Sequence, residues 1–362
     1  MERDTLMIFV VFFLSIITLF AALLNIGVIL VFSTTKKLHL PANYLICSLA
    51  VTDLLVAILV MPLSVLYIAT ERWLLGVILC EAWLSIDMTC CTCSILHLCA
   101  IALDRHWAIT NALVYAHKRT QQWVVVMITV VWTVSILITM PPLFWRRILR
   151  NNNDSVDAEV PKNVSDQCFI KHDHVGYTIY STCGAFYIPM ALILILYYRI
   201  FVAARAMYHK RREPGALWNK KTAGSNKKLL CRSNSTKSEP ELPALPLNTE
   251  LNKLSTPCFV AQKEAMKQVK ERIQTCASRE RKAALVLGLI LGAFILCWLP
   301  FFVKELLLGF NVLQPSSQVS VLSDILTWLG YTNSLINPLL YTTFNEDFKQ
   351  AFKRLLSCKS CK

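Results

Sequence analysis

Seven separate stretches of this 362-residue chain are long and apolar enough to cross a lipid bilayer: roughly 6–33, 42–68, 77–109, 122–145, 175–207, 280–308 and 320–342. A bilayer's hydrocarbon core is about 30 Å thick, a distance that ~20 mainly apolar residues cover as a helix. Lipid offers the backbone no hydrogen-bond partner, so each run has to satisfy its own amides as an α-helix. The expected fold is therefore an all-α membrane protein, a seven-transmembrane helix bundle. Composition agrees, with 55% apolar and only 17% charged residues, against about a quarter charged in soluble domains. That balance excludes disorder for most of the chain. The 14 Cys do not make a secreted disulfide scaffold, because most lie inside the apolar runs. The first run is too long for a signal-peptide core and lacks a small-residue cleavage site, so it reads as a retained span.

The net charge of +14 is unevenly placed, and its placement sets an orientation. Lys36 and Lys37 follow the first run, and Lys118 and Arg119 the third. The segment from Arg205 to Lys282 holds 18 basic and 7 acidic residues, whereas Arg146 to Val175 holds five of each sign. The bias puts the N-terminus outside and the C-terminus inside, and it argues against a nucleic-acid footprint. The chain divides into 1–210 (extracellular N-terminus and helices 1–5), 211–275 (a mostly disordered third cytoplasmic loop), 276–343 (helices 6–7) and 344–362 (amphipathic helix and tail). Pro240, Pro243, Pro246 and Pro257 interrupt any helix in that loop. After the last run, Phe344, Phe348, Phe352 and Leu355 form an apolar stripe opposite Lys349, Lys353 and Arg354, behind the helix start Asn345-Glu346-Asp347. This predicts a cytoplasmic helix lying on the inner leaflet. Cys358 and Cys361 then stand either as palmitoylation sites or as unmodified thiols.

A carboxylate at membrane depth is costly unless paired or hydrated, and is a functional candidate for that reason. Asp53 in the second run and Asp87 in the third are such groups; the plainer alternative is a buried packing role. Asp87 lies ~10 Å below Cys80 at 1.5 Å per residue, a depth that suits a pocket open to the outside. Cys91 and Ser94 share its helix face. Trp298, Phe301, Phe302 and Glu305 recur at helical spacing in the sixth run, and Tyr331, Ser334 and Tyr341 form a similar row in the seventh. A carboxylate ringed by aromatics is a cage for an organic ammonium, with cation–π attraction of roughly 0.5–2 kcal/mol. Ordinary helix packing gives the same spacing. Cys80 and Cys168 are the two cysteines placed on the outer side, where thiols oxidise. Asn153 and Asn163 head glycosylation sequons in the same outer loop; Asn234 heads a third on the cytoplasmic side. Pro62, Pro189, Pro300 and Pro338 fall at depth and loosen their helices.

In order along the chain stand Asn25, Leu49-Ala50-Val51-Thr52-Asp53, Asp104-Arg105-His106, Trp132, Cys297-Trp298-Leu299-Pro300 and Asn337-Pro338-Leu339-Leu340-Tyr341. Together they resemble the rhodopsin-like (class A) G-protein-coupled receptors over nearly the whole chain outside the long basic loop. Asp87 stands at the amine-binding place of the biogenic amine group. The stretches 34–57, 87–98 and 287–306 resemble the type-1 serotonin receptors, nearest the E and F subtypes. The pattern departs at His106, where the family usually carries Tyr.

The resemblance implies a plasma-membrane receptor that binds serotonin, activates inhibitory Gi/Go proteins and lowers adenylyl cyclase activity and cyclic AMP. Arrestin and receptor kinases are the further partners it implies. Asp87 would pair with the ligand ammonium, with Tyr331 hydrogen-bonded to it. Cys91 and Thr92 would line the floor, Ser181 and Thr182 would face the indole hydroxyl, Trp298, Phe301 and Phe302 would hold the ring, and Glu305 would sit at the rim. Ala185 lacks the hydroxyl a catechol would want one turn further, which favours an indoleamine. Asp53, Ser94, Asn333 and Asn337 would hold an allosteric sodium ion, whose hardness suits oxygen ligands; no other cofactor is implied. Arg105 would pair with Asp104 and reach Glu280, in a switch completed by Asn337, Pro338 and Tyr341. The alternatives are a receptor for another biogenic or trace amine, or an amine transporter. The chain shows neither the internal repeats nor the broken helices of transporters. An enzyme is not expected, because no HExxH or P-loop occurs and Cys90-Cys91-Thr92-Cys93 lacks the spacing to a second CxxC pair that zinc or redox sites use.

Overall fold

The computed structural model describes residues 2–110, 115, 119–139, 168, 175–212, 288–314 and 316–357, and these are helical apart from short connections. The helices are α1 (Glu2–Thr34), α2 (Pro41–Thr70), α3 (Gly76–Thr110), α4 (Gln121–Thr139), α5 (175–212), α6 (Gly288–Gly309), α7 (Ser317–Phe344) and α8 (Glu346–Leu356). A short 3-10 turn, Lys36–Leu38, joins α1 to α2. Met1–Phe201 with Ala283–Lys362 make one compact unit; Val202–Lys282 make a second, of which 202–212 are described, as helix. Within the first unit, α2 packs on α1 and α3, α3 on α4, α7 on α1 and α2, and α8 on α1 and α7.

Among the described residues, α1 to α6 are long and apolar enough to cross a membrane. Helix α7 has the length, at 28 residues, but Asp324, Thr332, Asn333, Ser334 and Asn337 dilute its apolar character. The bundle is built inside out relative to a soluble protein. Leu6, Ile8, Phe9, Phe12 and Phe13 on α1 are exposed, whereas Asn25, Asp53, Asp104 and Asn337 are at most 1% exposed. This distribution is stable only where the surroundings are hydrocarbon. Contacts between helices use small and polar residues, as lipid-embedded packing favours. The Thr89 and Thr139 hydroxyls meet at 2.8 Å between α3 and α4. Asn25 donates from α1 to the Ser334 carbonyl of α7 at 2.9 Å. His97 on α3 meets the Ser48 hydroxyl of α2 at 2.7 Å, and Trp132 of α4 donates to that same hydroxyl at 3.3 Å.

Two of the four prolines at depth have an evident local effect. A proline lacks an N–H and its ring crowds the carbonyl four residues back. Ahead of Pro62 the chain widens into a π turn over Val56–Val60, and ahead of Pro189 into another over Cys183–Tyr187. Each contains the crowded residue, Ile58 and Ala185 respectively. Each wide turn inserts one residue into the helical register and re-aims the side chains beyond it.

The described part of the fourth span runs to Thr139; 140–150, with the expected end at 145, lie outside the described residues. The expected loop 211–275 lies outside them too, apart from 211 and 212, which close α5. Asn345 caps α8 by accepting the Asp347 N–H at 3.1 Å. Phe348 is fully buried and Phe352 lies against Gly27 of α1, where an added Cβ would come within 3.0 Å of its ring.

Candidate functional site

The end of the bundle that carries Trp73 and Trp83 is braced first by covalent chemistry. Cys80 at the start of α3 is bonded to Cys168, with their Cα atoms 5.7 Å apart. The Tyr67 hydroxyl of α2 is hydrogen-bonded to the Cys168 backbone. Trp73 stacks on Trp83 at 5.0 Å, and their indole N–H groups donate to the carbonyls of Gly76 and Val60. These contacts fix the end of α2 and the start of α3 together.

Deeper on α3, the Asp87 carboxylate accepts from the Tyr331 hydroxyl of α7 at 2.9 Å and from the Cys91 thiol one turn along at 3.5 Å. Both donors are neutral. An ionised carboxylate in such a setting still needs a cation or a proton to offset its charge. The aromatic row of α6 lies alongside. Trp298 is 6.5 Å from the Tyr331 ring, and Phe301 is edge-on to Trp298 at 5.7 Å. Phe302 is 5.3 Å from Phe301 and stacks on Phe186 of α5 at 4.4 Å, with only 10° between the planes. Trp298 can lie this close to α7 because residue 330 is glycine: a Cβ there would come within 2.7 Å of the indole. A small cavity is lined by Val56, Cys91, Ser94, Trp298, Gly330, Tyr331, Asn333 and Ser334. Its lining takes in Cys91 and Tyr331, which donate to Asp87, and Ser334, which donates to Asp53.

Other candidate ligand residues make contacts of their own. Thr92 is fully buried and donates to the Met88 carbonyl at 2.8 Å. Ser181 and Thr182 donate back to the Thr178 carbonyl of their own helix, at 3.2 and 2.7 Å. Thr178 lies where a Cβ on Gly309 would touch it, which sets this face of α5 against α6. Glu305 forms an ion pair with Lys304 at 2.5 Å. Sequence reasoning missed Phe186, although it stands four residues after Thr182, at ordinary helical spacing from it.

Asp53 of α2 accepts from Ser334 at 3.1 Å and from Asn337 at 2.9 Å, both on α7, and from Ser94 of α3. Ser334 thus corrects the expected set: its hydroxyl serves Asp53 rather than the aromatic row. The side-chain oxygens of Asn333 and Asn337 are buried with no hydrogen-bond partner among the described residues. One carboxylate, hydroxyls and two unpartnered amide oxygens form a hard-oxygen donor set that fits a small monovalent cation.

At the opposite end, Asp104 pairs with Arg105, as expected, but has a nearer partner in Arg119. Arg119 takes the Asp104 carboxylate with both Nε, at 2.9 Å, and Nη2, and Tyr115 donates to it at 2.9 Å. Arg105 Nε stands 3.9 Å away. The physical reason is geometry: a guanidinium approaching from the loop can present its planar fork, which a neighbour on the same helix cannot. Burial and the adjacent carboxylate push the Tyr115 phenol up, keeping it a donor. The sequence marked Arg119 only as a topology charge. His106 has its Nδ1 buried without a hydrogen-bond partner among the described residues. Pro338 lies inside α7, and Tyr341 is 3% exposed. Glu280, Asn153, Asn163, Cys358 and Cys361 lie outside the described residues.

The chain matches the family of 7 transmembrane receptors (rhodopsin family) over residues 24–341. It is 56% identical over 347 residues to 5-hydroxytryptamine receptor 1E of Homo sapiens, covering 96% of this chain and 92% of that protein. The same identity and coverage hold for 5-hydroxytryptamine receptor 1E of Cavia porcellus. For 5-hydroxytryptamine receptor 1F of Homo sapiens the identity is 51% over 352 residues, again covering 96% and 92%. This is a family of receptors and not of enzymes. An inside-out bundle, marker residues in their proper helices and identity along almost the full length lead to one assignment: the chain belongs to the rhodopsin family of seven-transmembrane receptors, among its type-1 5-hydroxytryptamine members.

Proposed function

We propose that the chain is a plasma-membrane receptor for 5-hydroxytryptamine that activates Gi/Go proteins and lowers cyclic AMP. The N-terminus and the Cys80–Cys168 bridge face outside, and the C-terminus faces inside. The observation that carries the reading is the Asp87 carboxylate, held by the neutral donors Tyr331 and Cys91 beside the rings of Trp298, Phe301 and Phe302. The ligand ammonium offsets the charge of Asp87, and the indole lies among the rings, over a floor of Cys91 and Thr92. Ser181 and Thr182 turn their hydroxyls from the Thr178 carbonyl to the ligand's hydroxyl, and Glu305 stands at the rim. Names of relatives that specify 5-hydroxytryptamine support the choice of amine.

The same reading gives Asp53, Ser94, Asn333 and Asn337, now with Ser334, a sodium ion that favours the resting state; the two unpartnered amide oxygens support it. Activation is a two-state shift, in which the agonist need only bind the open form better than the closed one. Arg105 leaves the neighbourhood of Asp104 and Glu280, and Asn337, Pro338 and Tyr341 relay the change along α7. Arrestin and receptor kinases then act on the cytoplasmic face. Asn153 and Asn163 carry glycans, and Cys358 and Cys361 carry palmitate.

A cyclic AMP assay on cells expressing the chain, run with a panel of amines, tests ligand and transducer together. Serotonin is expected to rank first and to lower cyclic AMP in a manner blocked by pertussis toxin. A rise in cyclic AMP would point to a different G protein. Dopamine or histamine ranking above serotonin would defeat the indoleamine assignment.

A further inference from the structure

The ligand region contains a cation of its own. Lys304 is only 5% exposed, although lysines seldom give up water without a reason. Its ammonium donates to the Ser323 hydroxyl of α7 at 2.8 Å, pairs with Glu305 Oε1 at 2.5 Å and lies 4.7 Å from the centre of the Phe301 ring. Asp324 of α7 is within its electrostatic reach. Adjacent residues on a helix point about 100° apart, so the Lys304–Glu305 pair closes only because the long lysine stem folds back. Phe301 is the ring whose edge-on neighbours are Trp298 and Phe302. One ring of the aromatic row therefore already faces a positive charge.

We propose that Lys304 is a resident counter-cation at the rim of the amine site and restricts that site to ligands with a single positive charge. The inference rests on the amine-receptor reading above and adds the charge class of the ligand. Without Lys304, Glu305 and Asp324 would stand roughly two helical turns outward of Tyr331 and its partner Asp87. Two such zones of negative charge, bridged by aromatic rings, would suit a dication. With Lys304 in place one of the two outer carboxylate charges is cancelled, and the lysine ammonium is engaged by Ser323, Glu305 and the Phe301 ring. A second ligand ammonium would have to displace a buried, hydrogen-bonded charge or lie beside it, and like charges repel strongly where water is excluded.

The test is competition against tritiated serotonin on membranes carrying the full chain. It compares serotonin with N-aminoalkyl-tryptamines bearing a second ammonium on chains of increasing length. The wild type should prefer serotonin, and Lys304→Met should shift the ratio towards the dications by about tenfold at the best chain length. Lys304→Arg should keep the wild-type ratio, and Lys304→Met with Glu305→Gln should lose the gain. Glu305→Gln alone, with the lysine charge retained, should move the ratio further against the dications. An unchanged ratio in Lys304→Met with serotonin still bound, or a shift towards dications in Glu305→Gln, would overturn the role of Lys304 and leave the receptor assignment standing. A wild type that binds no tryptamine would overturn the assignment itself.

Discussion

Asp87 and Asp104 sit on the same helix about 17 residues apart, at roughly 1.5 Å per residue, and are satisfied in opposite ways. Asp104 receives the fork of Arg119 together with a tyrosine hydroxyl, so its charge is cancelled within the chain. Asp87 receives a tyrosine hydroxyl and a thiol, which orient the carboxylate and leave its charge. Asp53 resembles Asp87: its donors Ser334, Asn337 and Ser94 are all neutral. On the proposed reading, the carboxylate with an internal cation is a structural brace, and those with only neutral donors are sites for a cation from outside. Donor charge, rather than burial or depth, separates the two roles within one bundle.

The sharpest way to break this contrast is to remove the unpaired carboxylate. Asp87→Ala should abolish amine binding, a loss of about 2–5 kcal/mol by analogy with other desolvated charge pairs, while the protein still reaches the cell surface. Retained radioligand affinity would erase the distinction. Removing the internal cation should act on stability. Arg119→Ala leaves Asp104 with Tyr115 and a distant Arg105, and should cost on the order of 1–3 kcal/mol, read as a lower melting temperature of the solubilised protein. Arg119→Lys should recover only part, because a point charge lacks the planar fork. An unchanged melting temperature would mean that Arg105 takes over and that Asp104 is no different in kind. The smallest effect concerns orientation. Tyr331→Phe removes one neutral donor and should weaken amine binding by roughly tenfold, the scale of a single hydrogen bond to a charged group, with Asp87 still able to form its ion pair.

Much of the fold was legible in the sequence because the bilayer reduces folding to a question of length and polarity. The seven apolar runs, the amphipathic helix behind Asn345 and the pairing of Cys80 with Cys168 all stem from local composition and from which side of the membrane a residue occupies. Pro62 and Pro189 announced irregular turns, but not that each would take the form of a π turn with one extra residue. Phe186, which meets Phe302, lies inside the second of these turns. The site was legible as far as single residues at depth could mark it. Arg119 and Ser334 were invisible as partners, since the contacts of Arg119 with Asp104 and of Ser334 with Asp53 depend on how a loop and two distant helices meet. Nothing in the sequence singled out Lys304, whose place is marked by its burial and its contact with Ser323.

The polarity of α7 bears on how the molecule is made. A segment carrying Asn333, Ser334 and Asn337 at its middle partitions poorly into oil by itself, so its insertion during synthesis must draw on companions already lodged in the membrane. Asn25 and Asp53, which bond to Ser334 and Asn337, are made hundreds of residues earlier and offer such a reception. Damage to either would then surface first as a biogenesis fault, with the final segment stranded at the translocon, before any question of signalling arose.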